Sequence, residues 1–413
     1  MLAGALILID VSTDLHFEKK WPLLFGAGAA GSRGLLTAVA SSMITVAGVV
    51  FSITIVALSL TSSQYTSRIL RNFRRDRINQ SVLGLFLGVF AYCLVVLRTI
   101  REGSDGSFVP SLAVMGGLIM AFFGIGFLIF FIHHISMSIQ ASNIIAATAK
   151  ETIASIDKQF VEEQGKDQFE ATSLDPVLLT EKHWIAVPAV KTGYIEAVDY
   201  KALLIQAKQN ECVIRMERGP GEFVIEGGAL VSISSGKEMS GDTSSKLNEA
   251  FVIGRQRTVR QDVSFGIRQI VDVALKALSP GINDSTTAIM CIDYLTAIFV
   301  RLARRDLVVK QHGEDASENL ILRGRSFVSL LSEGFDEIRQ NAAGNSAVLS
   351  RQLHALETIA ALGVTPHRQA ALRMHVSLIS SQVESSISEP HDAIACQEAV
   401  KRLEKVLGSV KLN

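Results

Sequence analysis

Charge of either sign is missing from most of the first third of this 413-residue chain. No Asp, Glu, Lys or Arg lies between Arg33 and Arg68, and none falls within residues 81–97 or 111–132. Proton relays and carboxylate ion traps inside a bilayer need such residues, so a coupled transporter is disfavoured. Net charge is absent too: 40 Lys and Arg balance 40 Asp and Glu, which removes the basic surplus expected of a nucleic-acid partner. Cysteine is scarce. Cys93, Cys212, Cys291 and Cys396 are far apart and form neither CxxC nor Cys/His spacings. That argues against a disulfide framework and a zinc site and fits reduced thiols. The phosphate-loop, nucleophile-elbow and HExxH signatures are missing. "GAGAAGSRG", residues 26–34, is glycine-rich but precedes an apolar run rather than following a strand. The expectation is therefore a protein that is not an enzyme and holds no cofactor or metal.

Long apolar runs are what the sequence does have. Residues 34–63, 81–97 and 111–132 each approach or exceed the roughly 20 residues that cross a bilayer as a helix. Residues 1–9 are apolar but too short to cross alone, and read as half of a membrane helix or an interfacial stub. Between the first two full runs stands "SRILRNFRRDRINQ", with Arg68, Arg71, Arg74, Arg75 and Arg77 against Asp76. By the positive-inside rule this loop is cytoplasmic, which places residues 104–110 outside and everything after His134 in the cytosol. The same arginines also suit the cytoplasmic mouth of a pore, where they would concentrate anions.

The first full run has internal order. At about 100° per residue, Ser41, Thr45, Ser52, Ser59 and Ser63 fall in a strip about 40° wide, with Gly48 beside it. Two readings are open. Small residues and hydroxyls favour close helix packing. A ring of hydroxyls can also replace part of an ion's hydration without trapping it, as a pore lining does. Both favour self-association.

Beyond the spans the pattern changes. Residues 135–176 read as a helical stalk and linker. Residues 177–234 carry short alternating runs broken by Gly, Pro and Asn, a small β-rich module resembling barrel-sandwich folds, with strands near 184–187, 192–198, 211–216 and 229–232 and a helix at 200–209. No Lys occupies a hairpin tip, so no carried lipoyl or biotin is expected. Residues 235–245 read as a linker, and residues 247–413 as a helical bundle. Within that bundle, "SPGIND" reads as a corner: Pro280-Gly281 ends one helix, and Asp284 or Ser285 caps the next. Asn283 and Asp284 offer more polar groups than a cap needs, and the approaching segment is dense in charge, Arg257 and Arg268 included. The segment is therefore expected to be an assembly or gating joint rather than a catalytic site, with Asp284 meeting an arginine from another subunit or helix.

The runs "FSITIVALSLTSSQYTSRILRNFRRD", "GPGEFV" and "GRQRTVRQDVSFGIRQIVDVALKALSPGINDSTTA" are similar to a family of predicted bacterial membrane proteins known as domain of unknown function 2254. The resemblance covers nearly the whole chain. It implies a multi-span inner-membrane protein with a cytosolic C-terminal region and a complete first helix, and it supplies no catalytic residues.

The combined expectation is an α-helical transmembrane bundle in residues 1–134 (a partial first helix, then three full spans) followed by a cytosolic α+β region. Its function is read as a homo-oligomeric pore or channel for small ions in the lipid bilayer of the inner membrane. The alternative is a membrane-anchored scaffold or sensor that binds a cytosolic partner without conduction.

Overall fold

An apolar run in hydrocarbon folds as a helix because a helix pairs every backbone N–H and C=O within itself. The computed structural model of the chain describes residues 2–12, 28–64, 77–101, 108–161, 183–234, 241–309 and 319–409. They divide into two compact units, residues 1–143 and 144–413.

The first unit contains α1 (Leu2–Ser12), α2 (Gly28–Gln64), α3 (Arg77–Thr99) and α4 (Ser111–Ser138). Helices α2, α3 and α4 are each long and apolar enough to cross a membrane. Helix α1, at 11 residues, is shorter than a bilayer requires. The core joins Leu36, Met43 and Val50 of α2 to Phe86, Val89 and Cys93 of α3 and to Ala113 and Phe131 of α4. Glycines set how closely α4 lies on its neighbours. A Cβ on Gly117 would stand 2.9 Å from Leu36 Cδ2, and one on Gly124 would stand 3.2 Å from Met43 Sδ. Two polar contacts fix the helix ends. The buried Tyr92 hydroxyl donates to the carbonyl of Ala113 at 2.8 Å, and Arg33 Nη2 donates to the carbonyl of Ile100 at 3.0 Å, just beyond α3. The outer face of α4 is bare hydrocarbon: Phe122, Phe123 and Ile129 are 66%, 64% and 66% exposed. Such a face suits lipid and not water.

The second unit is mixed helix and small sheets. Helix α5 (Ala141–Gln159) leads to β1 (Phe160–Val161), β2 (Ile185–Pro188), β3 (Gly193–Val198), α6 (Tyr200–Gln209), β4 (Val213–Met216), β5 (Phe223–Val224) and β6 (Ala229–Ser234). Then follow α7 (Gly241–Glu249), β7 (Phe251–Gly254), α8 (Val263–Leu278), α9 (Ser285–Ala303), β8 (Asp306–Val309), β9 (Leu320–Ile321), α10 (Phe327–Asn341), α11 (Ser346–Ala360), α12 (Pro366–Ser386) and α13 (Pro390–Ser409). The sheets have strand orders β2-β6-β4-β9 and β5-β3-β7, with β1 and β8 as a separate pair. They share a core of Val187, Ile195, Leu203, Ile214, Leu230, Ile233 and Leu320.

Several expectations change here. Strands β7 and β9 come from residues read as helical bundle, and they complete sheets begun within residues 177–234. Part of the expected linker, residues 241–245, is the start of α7. The helical stalk expected to begin at residue 135 is interrupted near its start: α4 ends at Ser138, and Asn143 Nδ2 donates to the carbonyl of Met137 at 2.7 Å as α5 begins. Helix α9 is also long and apolar enough to span a membrane. Its apolar face is already used, because Ile292, Leu295, Ile298, Phe299 and Leu302 are fully buried and α9 packs against α8, α10 and α11. It also carries Asp293, paired with Arg351, and Arg301, paired with Asp157 at 2.5 Å.

Gly117→Leu is expected to lower the stability of the detergent-solubilised protein by about 1–3 kcal/mol, the usual cost of overpacking. Gly126→Leu, where nothing lies within 4 Å of the added Cβ, should leave the thermal midpoint unchanged.

Candidate functional site

Helix α2 has two unlike faces. Leu36, Ala40, Met43, Ala47, Val50 and Ala57 are buried in the first unit, with Thr61 beside them. Ser41, Thr45, Ser52 and Ser59 are exposed on another side. Gly48 lies with them, and open space surrounds the position its Cβ would take. The Thr45 hydroxyl donates to the carbonyl of Ser41 at 2.8 Å, so that group is satisfied within its own turn. Packing against α3 or α4 of the same chain therefore does not account for the stripe. Ser63 lies on α2, but its side chain is outside the described residues, as are Arg68, Arg71, Arg74 and Arg75. Arg77 is the exposed first residue of α3.

In the second unit, two of the sequence motifs meet. Asp262 caps α8, accepting from the Phe265 amide at 3.1 Å. Its carboxylate is also held by Arg257 in a two-pronged contact, Nε at 2.7 Å and Nη2 at 3.0 Å. Gly221, from "GPGEFV", has φ +85°, and a Cβ there would fall 2.0 Å from Asp262 Oδ2. Only glycine admits both the backbone conformation and the approach. Arg257 also donates to Ser264 Oγ at 3.0 Å, and Ser264 donates to Glu333 of α10 at 2.6 Å. Further along the two helices, Arg268 binds Asp272 at 2.8 Å and Glu337 of α10. Arg257 and Arg268 thus belong to one polar seam between α8 and α10.

They do not meet "SPGIND". Asp284 accepts from the Thr287 amide at 3.0 Å and from the Thr287 hydroxyl at 2.6 Å. Those bonds hold its carboxyl below the usual carboxylate range. The amides of Ile282 and Asn283 both close on the Ser279 carbonyl at 2.9 Å, and the Asp284 amide closes on Ala277 at 2.8 Å. Asn283 takes φ +50°, a left-handed conformation that asparagine tolerates. Pro280, Gly281 and Asn283 are exposed. Within the chain the segment is a capped corner in which Asp284 is paired with Thr287.

One cluster was not anticipated. His375 of α12 is 1% exposed, with Ser332 Oγ 3.4 Å from Nε2 and Asp336 Oδ1 3.5 Å from Nδ1. Ser332 and Asp336 stand one turn apart on α10. Burial lowers the imidazole pKa, and Arg339 lowers it further against the opposing pull of Asp336. The imidazole has no open approach for a substrate, so the cluster is a buried polar contact between helices. The i, i+4 spacing of Ser332 and Asp336 was visible in the sequence, but not the helix they face. Among the described residues, no three His, Cys, Asp or Glu side chains converge as a metal site.

Comparison with known proteins agrees with the membrane architecture. The family model described as "Predicted membrane protein (DUF2254)" matches residues 1–358. Proteins of Mycobacterium bovis and Mycobacterium tuberculosis, each named only as uncharacterized, are 33% identical to this chain over 414 residues, covering 98% of it and 78% of their own length. No solved structure matches the chain.

Replacing Asp284 with Ala should cost about 1 kcal/mol, as for a lost N-cap, and Asp284→Asn should restore most of it; chemical denaturation distinguishes the two. His375 gives a pH signature. Its folded pKa is depressed, so the unfolded state binds the proton first as pH falls. Its contribution to stability should be complete at pH 7.5 and decline as pH drops below the unfolded value of about 6.5. His375→Gln should flatten that part of the stability–pH curve.

Proposed function

Because the chain belongs to the DUF2254 family of predicted membrane proteins, we propose that it is a homo-oligomeric membrane protein in which copies of α2 face one another and form an ion-conducting pore. The observation that carries this reading is the open hydroxyl face of α2, Ser41, Thr45, Ser52 and Ser59 with Gly48. It contrasts with the bare apolar face of α4, which suits lipid. Hydroxyls gain little from facing hydrocarbon, whereas between helices each interhelical hydrogen bond contributes roughly 0.6–2 kcal/mol. Facing a narrow aqueous path, the same groups replace part of an ion's hydration shell weakly enough for release. The arginine-rich segment, residues 68–77, supports by the positive-inside rule a reading in which that loop faces the cytoplasm of a bacterial inner membrane and the second unit lies in the cytosol.

A membrane-anchored scaffold or sensor is the second reading. It is favoured by the size of the second unit, residues 144–413, which carries its own sheets and helical core.

Thiol accessibility separates pore from scaffold. The four native cysteines are buried, so background labelling is low. In native membranes, Ser52→Cys and Ser59→Cys should react with small charged thiol reagents at least ten times faster than Ile129→Cys on α4. Ser59→Leu should reduce ion flux into liposomes while leaving the oligomer intact. Equal protection of all three thiols, together with no flux under any imposed gradient, would leave the scaffold reading.

A further inference from the structure

The loop that carries "GPGEFV" borders a concavity of about 310 Å³, lined by Glu217, Arg218, Phe223, Ile225, Ala229 and Arg323 among others. That volume lies at the small end of the range for ligand pockets, about 300–1,000 Å³. We infer that it binds a small organic anion, a carboxylate or phosphate carried on an apolar body.

The wall supplies the apolar half. Phe223 is 48% exposed and Ile225 is 64% exposed, on alternate positions either side of the buried Val224. Phe223 is braced edge-on by Tyr194, with ring centroids 5.0 Å apart. Covering two such side chains with a ligand removes apolar surface from water, which favours association.

The charges supply the other half, and their pairing shows which one is available. Glu217 is already matched: it accepts from Arg215 Nε at 2.7 Å and from Ser232 Oγ at 2.6 Å. Burial raises its pKa, but these bonds and nearby Arg323 pull it below the usual range, so it stays ionised and paired. Arg215 is held in turn over the Trp184 ring, 4.4 Å from the centroid. Arg323 is matched with Glu222 at 3.1 Å and remains 48% exposed. Arg218 is exposed and has no ion pair among the described residues. With Arg215–Glu217 and Arg323–Glu222 counted as neutral, one guanidinium remains at the rim, and a second stands beside it in an exposed pair. A guanidinium fork matches carboxylate and phosphate oxygens in pairs, which selects an anion and disfavours a neutral ligand.

The concavity is also pre-formed. The Gly219 amide donates to Glu222 Oε2 at 2.8 Å, the Gly221 amide to the Ile195 carbonyl at 2.8 Å, and the Gly228 amide to the Ile225 carbonyl at 2.8 Å. A Cβ on Gly219 would lie 2.8 Å from the Arg323 carbonyl oxygen, so the glycine turn and the Arg323 backbone are in direct contact. Little ordering then remains to oppose binding.

The test titrates the full-length detergent-solubilised protein with phenyl phosphate and benzoate, with neutral benzamide as the control, by ligand-observed NMR. Saturable binding of at least one anion, absent for benzamide and weakened by salt, is expected. Arg218→Gln and Ile225→Ser should each weaken it at least tenfold, while Arg255→Gln should not. No saturable binding of either anion would overturn the inference, as would binding unchanged in both Arg218→Gln and Ile225→Ser. Repeating the titration in nanodiscs separates two sources of the anion. Exclusion of the probe by phosphatidylglycerol but not phosphatidylcholine assigns the site to a lipid headgroup, and equal binding in both assigns it to a soluble anion.

Discussion

The packing of one face of α2 against α3 and α4 is the contact on which the account of the first unit depends. It is set by missing side chains as much as by those present. Gly117 and Gly124 let α4 approach Leu36 and Met43, and Ala40 and Ala47 keep the facing surface of α2 shallow. Close contact gives dispersion on both sides, which matters where no water remains to drive helices together. Committing that face has a second consequence. Ser41, Thr45, Gly48, Ser52 and Ser59 are left on a surface that the described residues of the first unit do not cover. The strip they form runs between exposed apolar side chains, Ile55 and Val56 among them, and the proposal that copies of α2 meet there rests on it.

The same device recurs in the second unit. Gly221 admits Asp262, a Cβ on Gly266 would fall 2.0 Å from Thr152 Oγ1, and one on Gly334 would fall 2.7 Å from Phe299 Cε2. These contacts join sheet to helix, α5 to α8, and α9 to α10. Around them run ion pairs that are only partly exposed, Arg257 with Asp262 and Arg268 with Asp272 and Glu337. Removing one partner of such a pair leaves the other partly desolvated and uncompensated, which costs more than the intact pair contributes.

The sequence made some of this legible. Three charge-free runs at or near spanning length read as membrane helices, and the hydroxyl strip on the first of them appears as soon as residues are placed at helical spacing. Helix α6 was visible at Tyr200–Gln209, where Asp199 caps it through the Ala202 amide at 3.1 Å. The capping role of Asp284 was also legible, because Pro-Gly followed by Asn-Asp is a local signal. What was not legible is short or distant. Strands β7 and β9 span four and two residues, too few to show an alternating pattern, and pairing with β3 and β4 decides them. The approach of Gly221 to Asp262 joins positions far apart in the chain. The density of charge around Arg257 and Arg268 pointed toward "SPGIND", but their partners are Asp262, Asp272 and Glu337, on the seam along α8 and α10. Helical spacing alone could place His375 on a buried face, but not beside Ser332 and Asp336.

Cysteine cross-linking along α2 in native membranes tests most directly whether that open face is where copies meet. Single cysteines would be introduced at each position from 41 to 59 and oxidised under mild conditions, with covalent dimers read on a non-reducing gel. Cross-linking should peak at 41, 45, 52 and 59 and fall to background at the buried positions 43, 47 and 50. Uniform background along the whole helix, or peaks displaced from the hydroxyl face, would contradict the account.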